Sequence, residues 1–218
     1  MFKLDLSKIG IGSNSSKMRQ GAFTGTGPST APVQDRLLVS LNSENFTERK
    51  KAALELLAGP KLTDDQTNAL MFVMNHDDIA GVRVIAAECL ARNGFATGYA
   101  VPVLTELVES DTAWSDAIRA LQNVGIANKE VIRVLCRALS DPRKRVAAAA
   151  ALGSFGSAAR TALPALEGIA QYCAPGTRAQ VRLAIGLIRG TITPALGEES
   201  RRMIRNQVVA MADNDGSR

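Results

Sequence analysis

The sequence predicts an all-α fold, and three observations carry that expectation. Only 4% of its 218 residues are aromatic, and no Val/Ile/Thr-rich alternating segment stands out in the middle of the chain, which removes the usual material of a sandwich or barrel. Hydrophobic residues make up 46% of the chain, enough for the core of one domain or one repeat array. The third observation is residues 141–156, Asp-Pro-Arg-Lys-Arg-Val-Ala-Ala-Ala-Ala-Ala-Leu-Gly-Ser-Phe-Gly. Alanine is the strongest helix former, Asp141 with Pro142 makes a start signal, and the pair Gly153 and Gly156 makes a stop. A helix with so little side-chain bulk must pack very close to a neighbour.

The alanine helix has copies. Arg49, Ala52, Ala53 and Leu56 align with Arg83, Ala86, Ala87 and Leu90, and both sets align with Arg145, Ala148, Ala149 and Leu152. Ala117, Ile118, Leu121 and Gly125 form a weaker copy, and Ala184, Ile185 and Ile188 a looser one, so the element recurs about every 31 to 36 residues. A second series precedes it in each unit: Leu37/Leu41, Leu70/Val73/Met74, Leu104/Leu107/Val108, Leu135/Ala138/Leu139 and Leu166/Ile169/Ala170. Each unit is therefore expected to be a helical hairpin. Two amphipathic helices of this length cannot enclose a core alone, whereas stacked hairpins bury a continuous one. Small residues belong on the inner helices, where they allow close approach while the leucine one turn on fills the gap. Gly59-Pro60, Asn93-Gly94 and Gly153 interrupt any sustained heptad, which argues against a coiled coil.

Residues 81–94 (Gly-Val-Arg-Val-Ile-Ala-Ala-Glu-Cys-Leu-Ala-Arg-Asn-Gly) and 141–156 resemble HEAT repeats, in particular the short type near 31 residues. Pro102 and Pro164, each just ahead of a Leu-rich outer helix, suit the same pattern. The resemblance spans about residues 35–190 and implies a right-handed α-solenoid of five hairpins. It is specific for architecture and says little about activity. Such arrays mostly present a curved surface to protein partners, although short-repeat relatives include phycobilin lyase subunits and a group of alkyl-base DNA glycosylases. Two units depart from the pattern: Trp114 stands where the repeat arginine is expected, and residues 172–176 lengthen the last turn.

Outside the array, residues 1–34 carry a net charge of +3 and are rich in Gly, Ser and Thr from Gly10 to Thr30, the composition of a flexible arm. At its tip Phe2, Leu4, Leu6, Ile9 and Ile11 alternate with charges, a pattern able to dock on a partner. Beyond residue 190, Met203, Ile204, Gln207, Val208 and Met211 recur at helical spacing, so residues 191–212 are expected to form a helix capping the last unit, ahead of a frayed tail at 213–218. No apolar run of about 18 residues occurs, and charges break the apolar positions of the N-terminus, so neither a membrane span nor a secretory segment is expected and the protein reads as cytoplasmic.

No catalytic constellation is legible. His76, the single histidine, sits beside Asp77 and Asp78 and reads as a surface-turn residue. Cys89, Cys136 and Cys173 are far apart and lack CxxC spacing, which suits buried thiols better than a disulfide or zinc site. Phosphate-loop, HExxH and EF-hand patterns do not occur. No cofactor, metal or catalytic residue is assigned, and the chain is expected not to be an enzyme.

Charge is the remaining signal. Residues 60–118 carry −6 and residues 119–189 carry +8. Lys129, Arg133 and Arg137 recur every fourth residue and should form one exposed stripe; with Arg143 and Lys144, and with Phe2, Leu4, Leu6 and Ile9 of the arm, they are the candidate partner-binding residues. The expected function is a non-catalytic protein–protein interaction scaffold or adaptor within a larger assembly. A nucleic-acid binder and a phycobilin-lyase-like enzyme subunit are the alternatives. The scarcity of aromatics and the acidic half weigh against a long nucleic-acid track. Opposite charge on the two halves also predicts weak head-to-tail self-association.

Overall fold

The computed structural model describes residues 33–193, and among them the chain is all-helical. Ten helices follow in order: α1 (Val33–Leu41), α2 (Phe46–Ala58), α3 (Asp64–His76), α4 (Ala80–Leu90), α5 (Val101–Glu109), α6 (Trp114–Val124), α7 (Lys129–Ala138), α8 (Arg145–Ser154), α9 (Leu163–Ala170) and α10 (Pro175–Arg189). The expected arm tip (Phe2, Leu4, Leu6, Ile9), the capping helix and the tail lie outside the described residues.

Local chemistry explains where these helices begin and end. The Asn45 side chain accepts from Thr47 N ahead of α2, Asn128 accepts from Val131 N ahead of α7, and Thr63 with Gln66 forms a reciprocal capping box at α3. Proline occupies the first turn of α5, α9 and α10, where its missing N–H leaves no bond unmade. Gly125 and Gly190 end α6 and α10 in left-handed geometry, each with φ 74°. At the start of α6 the left-handed residue is Ala113, φ 57°, a conformation that costs a side-chain-bearing residue about 1–2 kcal/mol.

The helices pair as α1/α2, α3/α4, α5/α6, α7/α8 and α9/α10, and the even-numbered ones pack on one another in succession, α2 on α4, α4 on α6, α6 on α8 and α8 on α10. Both residue series form the core. Ala52, Ala53, Ala86, Ala87, Ala117, Ala148, Ala149 and Ala184 are buried on the even helices, while Leu70, Leu104, Leu135 and Leu166 are fully enclosed on the odd ones.

Two expectations about the alanine segment are corrected. Asp141 and Pro142 open a turn rather than the helix: the Asp141 carboxylate accepts from Arg143 N at 2.8 Å and its carbonyl from Arg145 N at 2.9 Å, and α8 starts at Arg145. Gly153 does not stop α8 but lies inside it, and the chain turns left-handed only at Gly156, φ 55°. Gly153 serves the helix–helix contact instead. A Cβ placed on it would stand 3.0 Å from Ala184 Cα and 3.2 Å from Ala184 Cβ on α10. The bulk missing from the five-alanine run is thus matched by backbone-to-backbone approach.

Gly153→Ala should therefore lower unfolding stability by about 1–2 kcal/mol net of the helix-propensity gain. Gly168→Ala on α9, where an added Cβ meets nothing within 4 Å, should raise it by up to about 1 kcal/mol. Urea titration followed by circular dichroism reads both; equal shifts would contradict the contact role of Gly153.

Candidate functional site

An α-helix leaves its last carbonyls without partners and carries partial negative charge there. In this chain a cation from the next helix meets that end repeatedly. Arg49 at the start of α2 donates from Nη1 to Ser43 O and Glu44 O, both at 3.0 Å, just beyond α1. Arg83 on α4 donates from Nε to Met74 O at 3.0 Å in the last turn of α3. Arg145 on α8 reaches Leu139 O at 2.8 Å and Ser140 O at 3.2 Å after α7, and Arg178 on α10 reaches Cys173 O at 2.9 Å after α9. Arg178 was not legible from the alignment, which puts Val181 at the arginine position. The longer turn at residues 172–176 moves the cation about one helical turn earlier.

Arg49 is the most fully engaged of the set. Its Nε and Nη2 hold the Asp77 carboxylate from both oxygens, at 2.7 and 3.0 Å, and Nη2 also meets Asp78 at 2.6 Å. All five guanidinium donors thus have acceptors. The hydrogen bond to Asp77 leads the causes that hold this guanidinium above its ordinary pKa, against the opposing cost of burial. The turn Asp77-Asp78 is thereby tied to the preceding unit, and Asp77 also accepts from Ile79 N at 2.9 Å, which turns the chain into α4.

The unit with Trp114 in place of the arginine solves the same problem differently. Trp114 is half-buried against the core, and the end of α5 is met from the following unit by Lys144. Its Nζ donates to Val108 O at 2.8 Å and to Ser110 O at 2.9 Å. Lys144 retains 6% of its exposure, so this candidate for a partner-binding surface is turned inward: its ammonium group serves the fold. Lys144→Met should leave those carbonyls without a donor and cost about 1–3 kcal/mol. Arg143→Gln, one residue away and solvent-facing, should leave the thermal midpoint close to wild type; a similar loss in both variants would overturn the distinction.

Other charged candidates divide by what they touch. Arg137 pairs with Glu109 at the end of α5, and Arg143 pairs with Asp111 at 3.2 Å and with Asp141 at 3.0 Å. The Arg143 hydrogen bonds hold the Asp141 carboxyl below its ordinary value. Arg83 likewise meets Glu106 at 3.3 Å. Much of the acidic stretch is therefore neutralised by cations of a neighbouring unit inside one molecule. Lys129 and Arg133 are exposed on α7 and enter none of the ion pairs among the described residues. A further tie, unseen in the sequence, joins Asn123 on α6 to the buried Glu88 carboxylate on α4 at 2.9 Å, with Arg92 at 3.2 Å. Its only trace in the sequence is that the two positions are one repeat plus one helical turn apart.

A cavity of about 640 Å³ lies between the α1–α2 link and the end of α3, bordered by Leu41, Glu44, Arg49, Phe72, His76 and Asp78. His76 is exposed, as expected of a turn residue; its ring stacks on Phe72 at 4.5 Å and its Nδ1 donates to Phe72 O at 3.0 Å. Arg49 and the carboxylates it holds serve one another here, and the hydroxyl of Ser43, which also lines the cavity, donates to Glu48 at 2.5 Å. Among the described residues no group of three or more His, Cys, Asp or Glu is arranged to hold a metal ion, and no helix is long and apolar enough to cross a membrane. The three cysteines are unpaired, with Cys89 and Cys173 buried and Cys136 half-buried. Burial pushes the Cys89 thiol up to about 11 and the Cys136 thiol upward as well. Alkylation at pH 8 should thus modify Cys136 before Cys89, with Cys89 reacting at the rate of unfolding; rapid labelling of Cys89 in the native protein would contradict its burial.

Compared with known proteins, the chain matches no protein-family model and no curated protein.

Proposed function

We propose that the described helices form an α-solenoid of five HEAT-like hairpins that acts as a non-catalytic protein-interaction scaffold. The observation that carries the reading is the recurring cation-to-carbonyl tie, made by Arg49, Arg83, Lys144, Arg145 and Arg178 at the ends of successive odd-numbered helices. Such ties favour one relative placement of neighbouring hairpins. Successive packing of the alanine-bearing helices supports the same arrangement, since each hairpin then finds its core on its neighbours. A row of hairpins held this way presents many side chains in fixed register over a long surface, which suits recognition of another protein more than chemistry on a small molecule.

Affinity capture from cells that produce the protein tests this. Intact bait should retain a discrete protein partner that survives nuclease treatment. Retention of nucleic acid alone, or loss of the partner on nuclease digestion, would contradict the scaffold reading. A bait lacking residues 1–34 separates the contribution of that segment from that of the helices.

A further inference from the structure

The interactions within the fold sort the cations of the second half. Lys144, Arg145 and Arg178 face helix-end carbonyls, and Arg137 and Arg143 face carboxylates. Lys129 and Arg133 are different. Both are exposed on α7, and among the described residues neither has an ion-pair partner. Arg160 and Arg182 are likewise exposed and without an ion pair among those residues; of the two, Arg160 lies on the segment Gly156–Ala162, which packs directly against α7.

Their placement also works against the helix that carries them. Lys129 is the first residue of α7, where the helix end is partially positive and favours an anion. Arg133 follows four residues later on the same side, a like-charge spacing that destabilises a helix. Asn128 caps this end by accepting from Val131 N, so capping does not call for a cation here. Glu130 supplies an acid in the first turn of α7 and stands three residues before Arg133, so the helix meets part of this charge itself. Yet neither cation forms an ion pair with it among the described residues. A local rule left partly broken in this way is expected at functional surfaces.

We propose that Lys129 and Arg133, with Arg160 on the segment packed against the same helix, form a docking surface for an acidic segment of a partner protein. The proposal rests on the scaffold reading and gives the partner its chemistry. Carboxylates laid along α7 would satisfy the positive helix end and both cations at once. A phosphate backbone fits less well. The exposed strip is one ten-residue helix, about 15 Å long. Glu130 lies between the two cations, and beyond them stand the α5-end acids Glu109 and Asp111, which pair with Arg137 and Arg143, so a longer polyanion would run into negative charge.

The test uses the full chain and a fluorescent four-residue polyglutamate peptide, which at about 3.4 Å per residue stays within the strip, followed by anisotropy at about 0.1 M salt, where screening leaves only short-range contacts. Wild-type protein should bind it saturably. Lys129→Glu with Arg133→Glu should weaken binding at least tenfold, while Lys50→Glu on exposed α2 should change it less than twofold. Should the doubly reversed variant fail to fold, Lys129→Gln with Arg133→Gln replaces it. That variant should melt no earlier than wild type, because a repulsion is removed, and should still bind at least threefold more weakly. Absence of saturable binding, equal losses with Lys50→Glu, an earlier melt for the Gln variant, or tighter binding of a ten-nucleotide oligothymidylate would each overturn the proposal. A capture experiment that retains the same protein partner with the Arg133→Glu bait would remove this surface while leaving the scaffold reading standing.

Discussion

The carbonyls at the ends of the odd-numbered helices set the terms for the rest of this molecule. Each helix finishes near the chain that begins the next, and its last acceptors cannot be reached by its own N–H groups. A hydrogen bond from a charged donor contributes more than a neutral one and is favoured further by the negative helix end. Four arginines and one lysine supply such donors. Because each reaches from a helix, or for Lys144 from the turn ahead of α8, to the end of an earlier helix or the turn just beyond it, the same bond also orients two helices. Removing the donor would therefore affect both local and long-range order, which distinguishes these cations from exposed pairs whose contribution is small.

The Trp114 unit shows that the requirement belongs to the carbonyl and not to one side chain. With an apolar ring in the arginine's register, Val108 O and Ser110 O still receive a cation, now from Lys144 one unit later. Lys144 can do so because its neighbour Arg145 already faces the end of α7. Two adjacent basic residues thus serve two different helix ends, and the basic cluster ahead of the alanine run is explained by packing for two of its three members.

Alanine and glycine set the second constraint. Along the even-numbered helices the buried positions are small, and at Gly153 the α8 and α10 backbones come so close that even a Cβ would intrude. On the even-numbered helices Asn123 of α6 reaches Glu88 of α4, while Glu109 and Asp111 meet Arg137 and Arg143 where α5 packs on α7. The formal contrast between the −6 and +8 stretches is locally offset where acid and base face each other within the chain, at Glu109 with Arg137 and at Asp111 with Arg143.

Helix content, the pairing of an odd with an even helix in each unit, and the residues of the core were legible from periodicity, because burial repeats at the spacing that the backbone imposes. Ala148, Leu152, Leu104 and Leu135 are enclosed where their spacing placed them, and Lys129, Arg133 and Arg137 are exposed as their fourfold spacing required. The partner of each charge was not legible. Lys144 and Arg143 are consecutive in sequence, yet one is buried against carbonyls 36 and 34 residues back and the other faces solvent and two carboxylates. Gly153 reads as a stop signal in one dimension and is a contact point in three. By itself the sequence determined which positions turn inward, because that follows from the period of a single helix; which cation meets which acceptor depends on the distance and rotation between helices, and only their tertiary packing decided it.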